Sequence, residues 1–289
     1  MTQLTVVQPG PQTLIQDRGR PGLAHLGVGA AGAMDREAHA LGNRLVGNPV
    51  NSAGLEILLG AAEFTTDSAV WIAITGAWGS VTRGSNPAPP HTAVLLEAGE
   101  ILTFGPAEHG IRYYLAVRGG LDVAPVLGSR SRDTLAQLGP EPLAAGDVLS
   151  VGSEPVVPVP AVDTVPIDAP PNGTATLEVR PGPRHDWFAP EVWTAFVEGE
   201  WHVSQRADRS GLRLEGPALP RTVSGELPSE GMVPGAIQVS PDGAPTVLAV
   251  DHPVTGGYPV IAVVTDESLD ALAQLRPGQP IRFRLATGR

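Results

Sequence analysis

Two arginine clusters carry the first chemical signal in this sequence. Gln16-Asp-Arg-Gly-Arg20 sets two guanidinium groups, a carboxylate and an amide within five residues. Asp208-Arg-Ser-Gly-Leu-Arg213, with Glu215 just beyond, repeats the theme in the second half. A guanidinium fork binds carboxylate or phosphate through two parallel hydrogen bonds. The adjoining glycines let backbone approach a ligand closely. Together the clusters point to a small polar or anionic compound, and a single site would have to draw on both halves. Each has a plainer reading as well. The first is a turn stapled by its own ion pair; the second is the solvent face of a strand, with Leu212 and Leu214 on the other side.

Further polar positions fall at regular spacing. Asp35, His39 and Asn43 stand at i, i+4 and i+8, on about 80° of one helix face. They form either a hydrogen-bonding row or a solvated face. Glu230 precedes a glycine, and Gln238 sits mid-strand. Thr255-Gly-Gly-Tyr-Pro259 is a tight turn whose amides suit an oxyanion. Its plainer reading is a hairpin turn between strands at 246–250 and 260–264. Asp251 and His252 adjoin it, and His252 is a candidate base. Gly27-Val-Gly-Ala-Ala-Gly32 matches a dinucleotide fingerprint. It is rejected because no buried strand precedes it and no βαβ alternation follows.

Composition removes many chemistries. The 289 residues contain no cysteine, and all 19 basic residues are arginine. Thiolate nucleophiles, disulfides and cysteine-bound zinc are excluded. So are a P-loop lysine, a Schiff base and covalent biotin on this chain. There is no paired-histidine metal motif and no G-x-S-x-G elbow. A net charge of -11 without a basic run argues against nucleic acid and anionic membrane surfaces. Neither a signal segment nor a run of ~20 apolar residues is present. The expectation is a cytoplasmic protein.

The elements that must position these residues are mostly strands. Short apolar or alternating runs predict strands at 4–8, 55–59, 69–75, 101–104 and 111–117. In the second half they fall at 177–180, 237–240, 246–250, 260–264 and 281–285. Helices are few. Met34, Ala38, Leu41 and Leu45 form one amphipathic stripe. Residues 190–197 and 267–275 predict two more helices, the last capped by Thr265 or Asp266. Six prolines between Pro155 and Pro171 mark an extended connector over 154–173. It separates domains 1–153 and 174–289. Thr134-Leu-Ala-Gln-Leu138 and Ala271-Leu-Ala-Gln-Leu275 echo each other and hint at two similar halves. The fold class is mainly β with a few short helices, in barrels or sandwiches.

Taken in order, these stretches resemble the biotin-dependent carboxyltransferase-like family. That family includes the C subunits of 5-oxoprolinase (KipA proteins) and the so-called allophanate hydrolase subunit 2. The carrying residues are 13–22, Gly32-Ala-Met-Asp35, Leu45-Val-Gly-Asn48, Leu55-Glu-Ile57, Thr75-Gly-Ala77 and Arg112-Tyr-Tyr-Leu-Ala-Val117. Leu127-Gly-Ser-Arg-Ser131, Gly146-Asp-Val-Leu149, 208–217, 231–243 and 255–259 complete them. Ser210 and Leu212 stand where the family usually has Met and Tyr.

The resemblance implies two cyclophilin-like β-barrel domains. It implies a component that acts with a KipI-like B subunit and the A subunit of 5-oxoprolinase. Such a complex cleaves 5-oxo-L-proline to L-glutamate with ATP. The ATP site is shared with, or carried by, a partner subunit, and Mg²⁺ accompanies it. Alternatives are a carboxyltransferase that passes carboxyl from a separate biotin carrier to a urea-type amide, and a KipI-binding regulatory module. Local chemistry and the resemblance together select Asp17, Arg20, Asp208 and Arg209 as catalytic candidates. Gln16, Arg18, Asp35, Asn43, Arg213, Glu215, Glu230, Gln238, Thr255, Gly256, Gly257 and Tyr258 are the candidates for binding a small anionic or amide substrate.

Overall fold

The computed structural model describes residues 1–161 and 165–287. The chain divides into two compact units. The first comprises Met1–Arg20, Ala31–Asp133 and Gln137–Pro170; the second comprises Pro21–Ala30, Thr134–Ala136 and Pro171–Arg289. The expected connector at 154–173 includes residues 162–164, which lie outside the described residues.

The strands of the first unit are β1 (Gln3–Pro9), β2 (Gln12–Gln16), β3 (Gly54–Leu58), β4 (Ala62–Thr66) and β5 (Val70–Arg83), followed by β6 (Asn86–Pro87), β7 (Ala93–Leu96), β8 (Ile101–Val117) and β9 (Val148–Ser150). Among the described residues they form one nine-stranded sheet, which curls over its own core. Along it β2, β3, β8, β4, β1 and β9 are successive neighbours, and β5 lies along the other side of β8. All these pairings are antiparallel.

The sequence predicts two strands at 101–104 and 111–117, but β8 is continuous. Gly105, Pro106 and Gly110 read as breaks. Instead they fall where the β5–β8 register shifts, and bulges accommodate such residues inside a strand.

From Gly110 to Val117 β8 is buried on both faces. Tyr113, Leu115 and Val117 join the main core with Leu4, Ile57, Phe64, Ile72 and Phe104. The alternate residues Tyr114 and Ala116 face helix α1 (Arg36–Leu45). Gly42 lets that helix lie close against the sheet. A Cβ there would lie 3.2 Å from the Ala116 side chain and 3.3 Å from Thr75 Oγ1. The proline-rich stretch begins as part of this unit. Arg118 donates to the carbonyls of Pro155 (2.9 Å) and Val157 (2.7 Å), and Val165 packs with Leu41, Leu45 and Val46.

In the second unit the strands are β10 (Ala175–Pro181), β11 (Trp201–Ala207), β12 (Gly211–Glu215), β13 (Glu230–Gly231) and β14 (Ala236–Val239), then β15 (Pro245–Leu248), β16 (Thr255–Gly256), β17 (Val260–Val264) and β18 (Pro280–Leu285). Seven of them close a barrel in the order β10, β17, β14, β15, β12, β11, β18. Its β10–β18 seam is parallel, and the other pairings described are antiparallel. Alternation fills the interior: Leu177, Val179, Leu212, Leu214, Ile237, Val239, Ile281 and Phe283 are all buried.

Helix α2 (Pro190–Glu198) stacks Phe196 on Phe283 at 4.6 Å between ring centres. Helix α3 is Asp266–Leu272, and its N-cap is Thr265, whose side chain makes no cap bond. The echo between 134–138 and 271–275 is not structural: the first is turns, while the second begins at the end of α3. Among the described residues no helix is long and apolar enough to cross a membrane.

Candidate functional site

The candidates in the first unit gather around one carboxylate. Asp17 follows β2 directly and is buried. Its Oδ1 accepts the hydroxyls of Ser129 and Ser131, both at 2.6 Å, and the Gly19 amide at 2.7 Å. Oδ2 accepts the Arg130 amide at 2.7 Å. The Asp17 amide donates to Ser131 Oγ at 2.8 Å. Burial opposes the charge, but these hydrogen bonds outweigh it and hold the carboxyl below its ordinary value of 3.8. Neutral donors thus take the place of the stapling ion pair expected for residues 16–20. Arg20 is buried and donates to the carbonyls of Val126 and Ser131, while Arg18 is exposed. Gly32 closes over this turn at φ 103, where a Cβ would lie 2.9 Å from Arg18 backbone.

Asp35, His39 and Asn43 are buried, which removes the solvated-face reading. Asp35 caps α1 by accepting the Ala38 amide at 2.9 Å. His39 places Nε2 3.2 Å from the Gln16 carbonyl, and burial lowers its pKa below the ordinary 6.5. Asn43 donates to the Ser52 carbonyl (2.9 Å) and accepts from Asn48 (3.0 Å).

The sequence did not single out Glu56 or Tyr114 as site residues. Tyr114 donates to Glu56 Oε2 at 2.8 Å and accepts the Asp35 amide at 2.8 Å. Glu56 also takes the Met34 amide (3.0 Å) and lies 3.5 Å from Arg112 Nε. Burial, with the charges of Glu56 and Asp35, pushes the Tyr114 phenol well above its ordinary 10.0. It stays neutral and donates. Glu56 is thus engaged inside the protein, within an antiparallel sheet.

In the second unit the arginine cluster splits. Arg209 is buried, and its fork is filled by Asp251 at 2.9 and 3.0 Å. Asp251 also accepts the amide and hydroxyl of Thr134, at 2.9 and 2.8 Å. Asp208 is exposed and holds its own turn through the amides of Ser210 (2.7 Å) and Gly211 (3.1 Å). Arg213 pairs with Asp242 at 2.5 Å, and Glu215 is exposed. The solvent-face reading describes Arg213 and Glu215 well.

A separate group does come together. β13 pairs with β16, so Glu230 sits opposite Gly256 and Gly231 opposite Thr255. The hairpin expected between 246–250 and 260–264 does not form: β15 pairs with β12 and β14, and β17 with β10 and β14. Gln238 is buried beneath this ribbon and donates to the Tyr258 carbonyl at 3.2 Å. A Cβ on Gly256 would collide with the Gln238 amide. Gly257 and Tyr258 are exposed. Glu230 forms an ion pair with Arg184, whose guanidinium lies 6.0 Å from the Trp187 ring centre. His252 directs Nδ1 at the Pro253 carbonyl, 2.8 Å away. Among the described residues, no cluster of three or more His, Asp or Glu could hold a metal ion.

The profile of the carboxyltransferase domain, subdomain A and B, matches residues 26–285. This chain belongs to that carboxyltransferase family. The 5-oxoprolinase C subunit of Escherichia coli is 37% identical over 97% of this chain and 90% of its own length. The C subunit of Haemophilus influenzae 5-oxoprolinase is 33% identical over 93% of this chain and 86% of its own. The crystal structure of Kluyveromyces lactis urea carboxylase superposes with a TM-score of 0.92 at 31% identity. There the family domain is one part of a larger protein: 99% of this chain aligns with 27% of that one. Another solved chain, 38% identical with a TM-score of 0.88, is also longer, and this chain spans 55% of it.

Proposed function

We propose that this carboxyltransferase-family chain is the C subunit of an ATP-dependent 5-oxoprolinase. It would open 5-oxo-L-proline to L-glutamate together with the 5-oxoprolinase A subunit and a KipI-like B subunit. One observation carries the reading: the identity to the C subunit of Escherichia coli runs across 97% of this chain and 90% of that protein. The chemistry agrees. A lactam carbonyl is a poor electrophile, and ring opening becomes feasible when its oxygen is activated. Fixed donors aimed at the developing charge lower that barrier without reorganising. We assign that role to Arg20, which is buried and held by the Val126 and Ser131 carbonyls.

Among the described residues, neither a lysine nor the Arg209 fork offers itself to a nucleotide. There is no lysine, the Arg209 fork is filled by Asp251, and among the described residues no cluster suits a metal. We therefore assign ATP to a partner subunit, with Mg²⁺ carried on its phosphates. The role left for this chain is to hold the amide substrate. Reconstitution tests the reading. ATP-dependent release of L-glutamate should appear only when all three subunits are combined. Ring opening by this chain alone, or none with both partners present, would overturn it.

A second reading has its own support in the superposition on urea carboxylase. This chain would then pass carboxyl from biotin on a separate carrier to an amide. Carboxylation of urea that needs a biotinylated carrier and is blocked by avidin would favour it. Avidin-insensitive activity would remove it.

A further inference from the structure

Arg184 and Arg209 present the same guanidinium fork to a carboxylate, at two stages of completion. Arg209 gives Nε and Nη2 to the two oxygens of Asp251, at 2.9 and 3.0 Å. Arg184 gives Nη2 alone, to Glu230 Oε1. Its Nε has no partner although that atom is sealed from solvent. An unmade bond at a buried donor is costly, and this fork has one to give that Glu230 does not take. The arginine is held in place. Its amide donates to the Val260 carbonyl at 3.1 Å, and the Gly182 amide to the Ile261 carbonyl at 2.8 Å. The guanidinium lies 6.0 Å from the Trp187 ring centre, and the Trp187 carbonyl accepts the Thr222 amide (2.8 Å) and hydroxyl (2.9 Å). Glu230 is held less firmly. β13 is two residues long and pairs with the equally short β16, a ribbon that is marginal by itself. The Arg184 and Glu230 side chains are 36% and 25% exposed, and an ion pair so close to water contributes little.

We infer that Arg184 anchors a binding site for a small carboxylate in the second unit, and that Glu230 is its internal stand-in, displaced when a ligand takes Nε and Nη2 together. The stand-in sets the chemistry. A singly charged carboxylate replaces Glu230 like for like and completes the two parallel hydrogen bonds that Asp251 makes with Arg209. A phosphate dianion brings surplus charge to a place where Asp186 already acts on Arg184. The 5-oxoprolinase reading supplies two fitting acids, 5-oxo-L-proline and L-glutamate, and the choice of these two ligands rests on that reading. Urea has no carboxylate and gains nothing from the fork.

Ligand-observed NMR titration of the full chain tests the site with 5-oxo-L-proline, L-glutamate, acetate, inorganic phosphate and pyrrolidone, the same lactam without its carboxylate. Both amino-acid-derived acids should bind. Pyrrolidone should bind about tenfold weaker than 5-oxo-L-proline, the loss expected when a charge-assisted pair is removed. Arg184→Leu should weaken both acids by about the same factor. Glu230→Gln should tighten them severalfold, because a neutral amide no longer competes for the fork. A plain surface ion pair predicts no acid binding in the parent and no gain in Glu230→Gln, and that result overturns the site. So does pyrrolidone binding as well as 5-oxo-L-proline, or phosphate binding tighter than every carboxylate. The ligand series on the unaltered chain stands even where a variant fails to fold. Acetate binding that needs Arg184, with neither 5-oxo-L-proline nor L-glutamate bound, supports the site and counts against the 5-oxoprolinase reading. Ring opening by the three-subunit assembly, with no carboxylate bound by this chain, leaves that reading intact and removes the site.

Discussion

Asp17 in the first unit and Asp251 in the second are both buried, and the two are neutralised differently. Asp251 meets a guanidinium fork and the Thr134 hydroxyl and amide. Asp17 is held by neutral donors: two serine hydroxyls and two backbone amides. Its neighbour Arg20 turns instead to carbonyls. An ion pair consumes its arginine, whereas a carboxylate solvated by hydroxyls leaves the arginine beside it free for other work. Of the two short motifs that set an aspartate close to an arginine, 208–209 lends its arginine to a structural clamp with Asp251, and 17–20 leaves its arginine in a candidate site.

The strongest break in this contrast is Arg209→Leu. It strands a buried carboxylate and should destabilise the protein by about 3–5 kcal/mol in urea unfolding. Adding Asp251→Leu should recover part of that loss, because the charge then disappears with its partner. If the single change is as mild as a surface substitution, the pair is not the clamp described here.

Next in size is Asp17→Asn, at about 1–3 kcal/mol, since the new amide sets its own donors against those of the loop. It should also alter the acid limb of stability. A carboxyl lowered below 3.8 in the folded state stabilises fully above that pH and loses the contribution as pH falls through its folded value. Unfolding midpoints measured across the acid range should show that step in the parent protein and not in the Asp17→Asn variant. His39 gives a separate step with the same sign. Buried and lowered from 6.5, it stays neutral in the fold while the unfolded chain protonates. Stability should therefore fall as pH drops below 6.5, and His39→Gln should remove only that upper step.

A finer change is Ser129→Ala, which removes one of three hydrogen bonds to Asp17 Oδ1 at a cost of about 1 kcal/mol. The carboxyl should move up toward its ordinary value, readable by NMR titration. At the small end is Arg213→Ala. Hydrogen bonds from Ser240, the Ala244 amide and Arg213 lower the Asp242 carboxyl to about 2. Losing Arg213 should raise that value and leave the unfolding midpoint unchanged, because both partners face water.

Strands with plain apolar alternation were legible in the sequence. The run at 260–264 matches β17, and the run at 281–285 falls inside β18. β2 and β11 were not, because Gln12, Gln16, His202, Gln205 and Arg206 interrupt the pattern while neighbouring strands supply the pairing. The Asp17 clamp was half visible. Both Gln16-Asp-Arg and Leu127-Gly-Ser-Arg-Ser131 stood out as motifs, yet a contact across 112 residues leaves no spacing signal. The Arg209–Asp251 pair was hidden for the same reason, 42 residues apart. Glu56 sat in an apolar strand with nothing beside it in sequence to say that Tyr114 would reach it.

β8 has three partners, and its last residues lie between β3 and β5 with both faces covered. Deuterium from solvent can reach the amides of Tyr113, Tyr114 and Leu115 only through large-scale opening of the unit. They should be the last to exchange, and their rate should report the first unit's global stability while the second unit keeps its own clock.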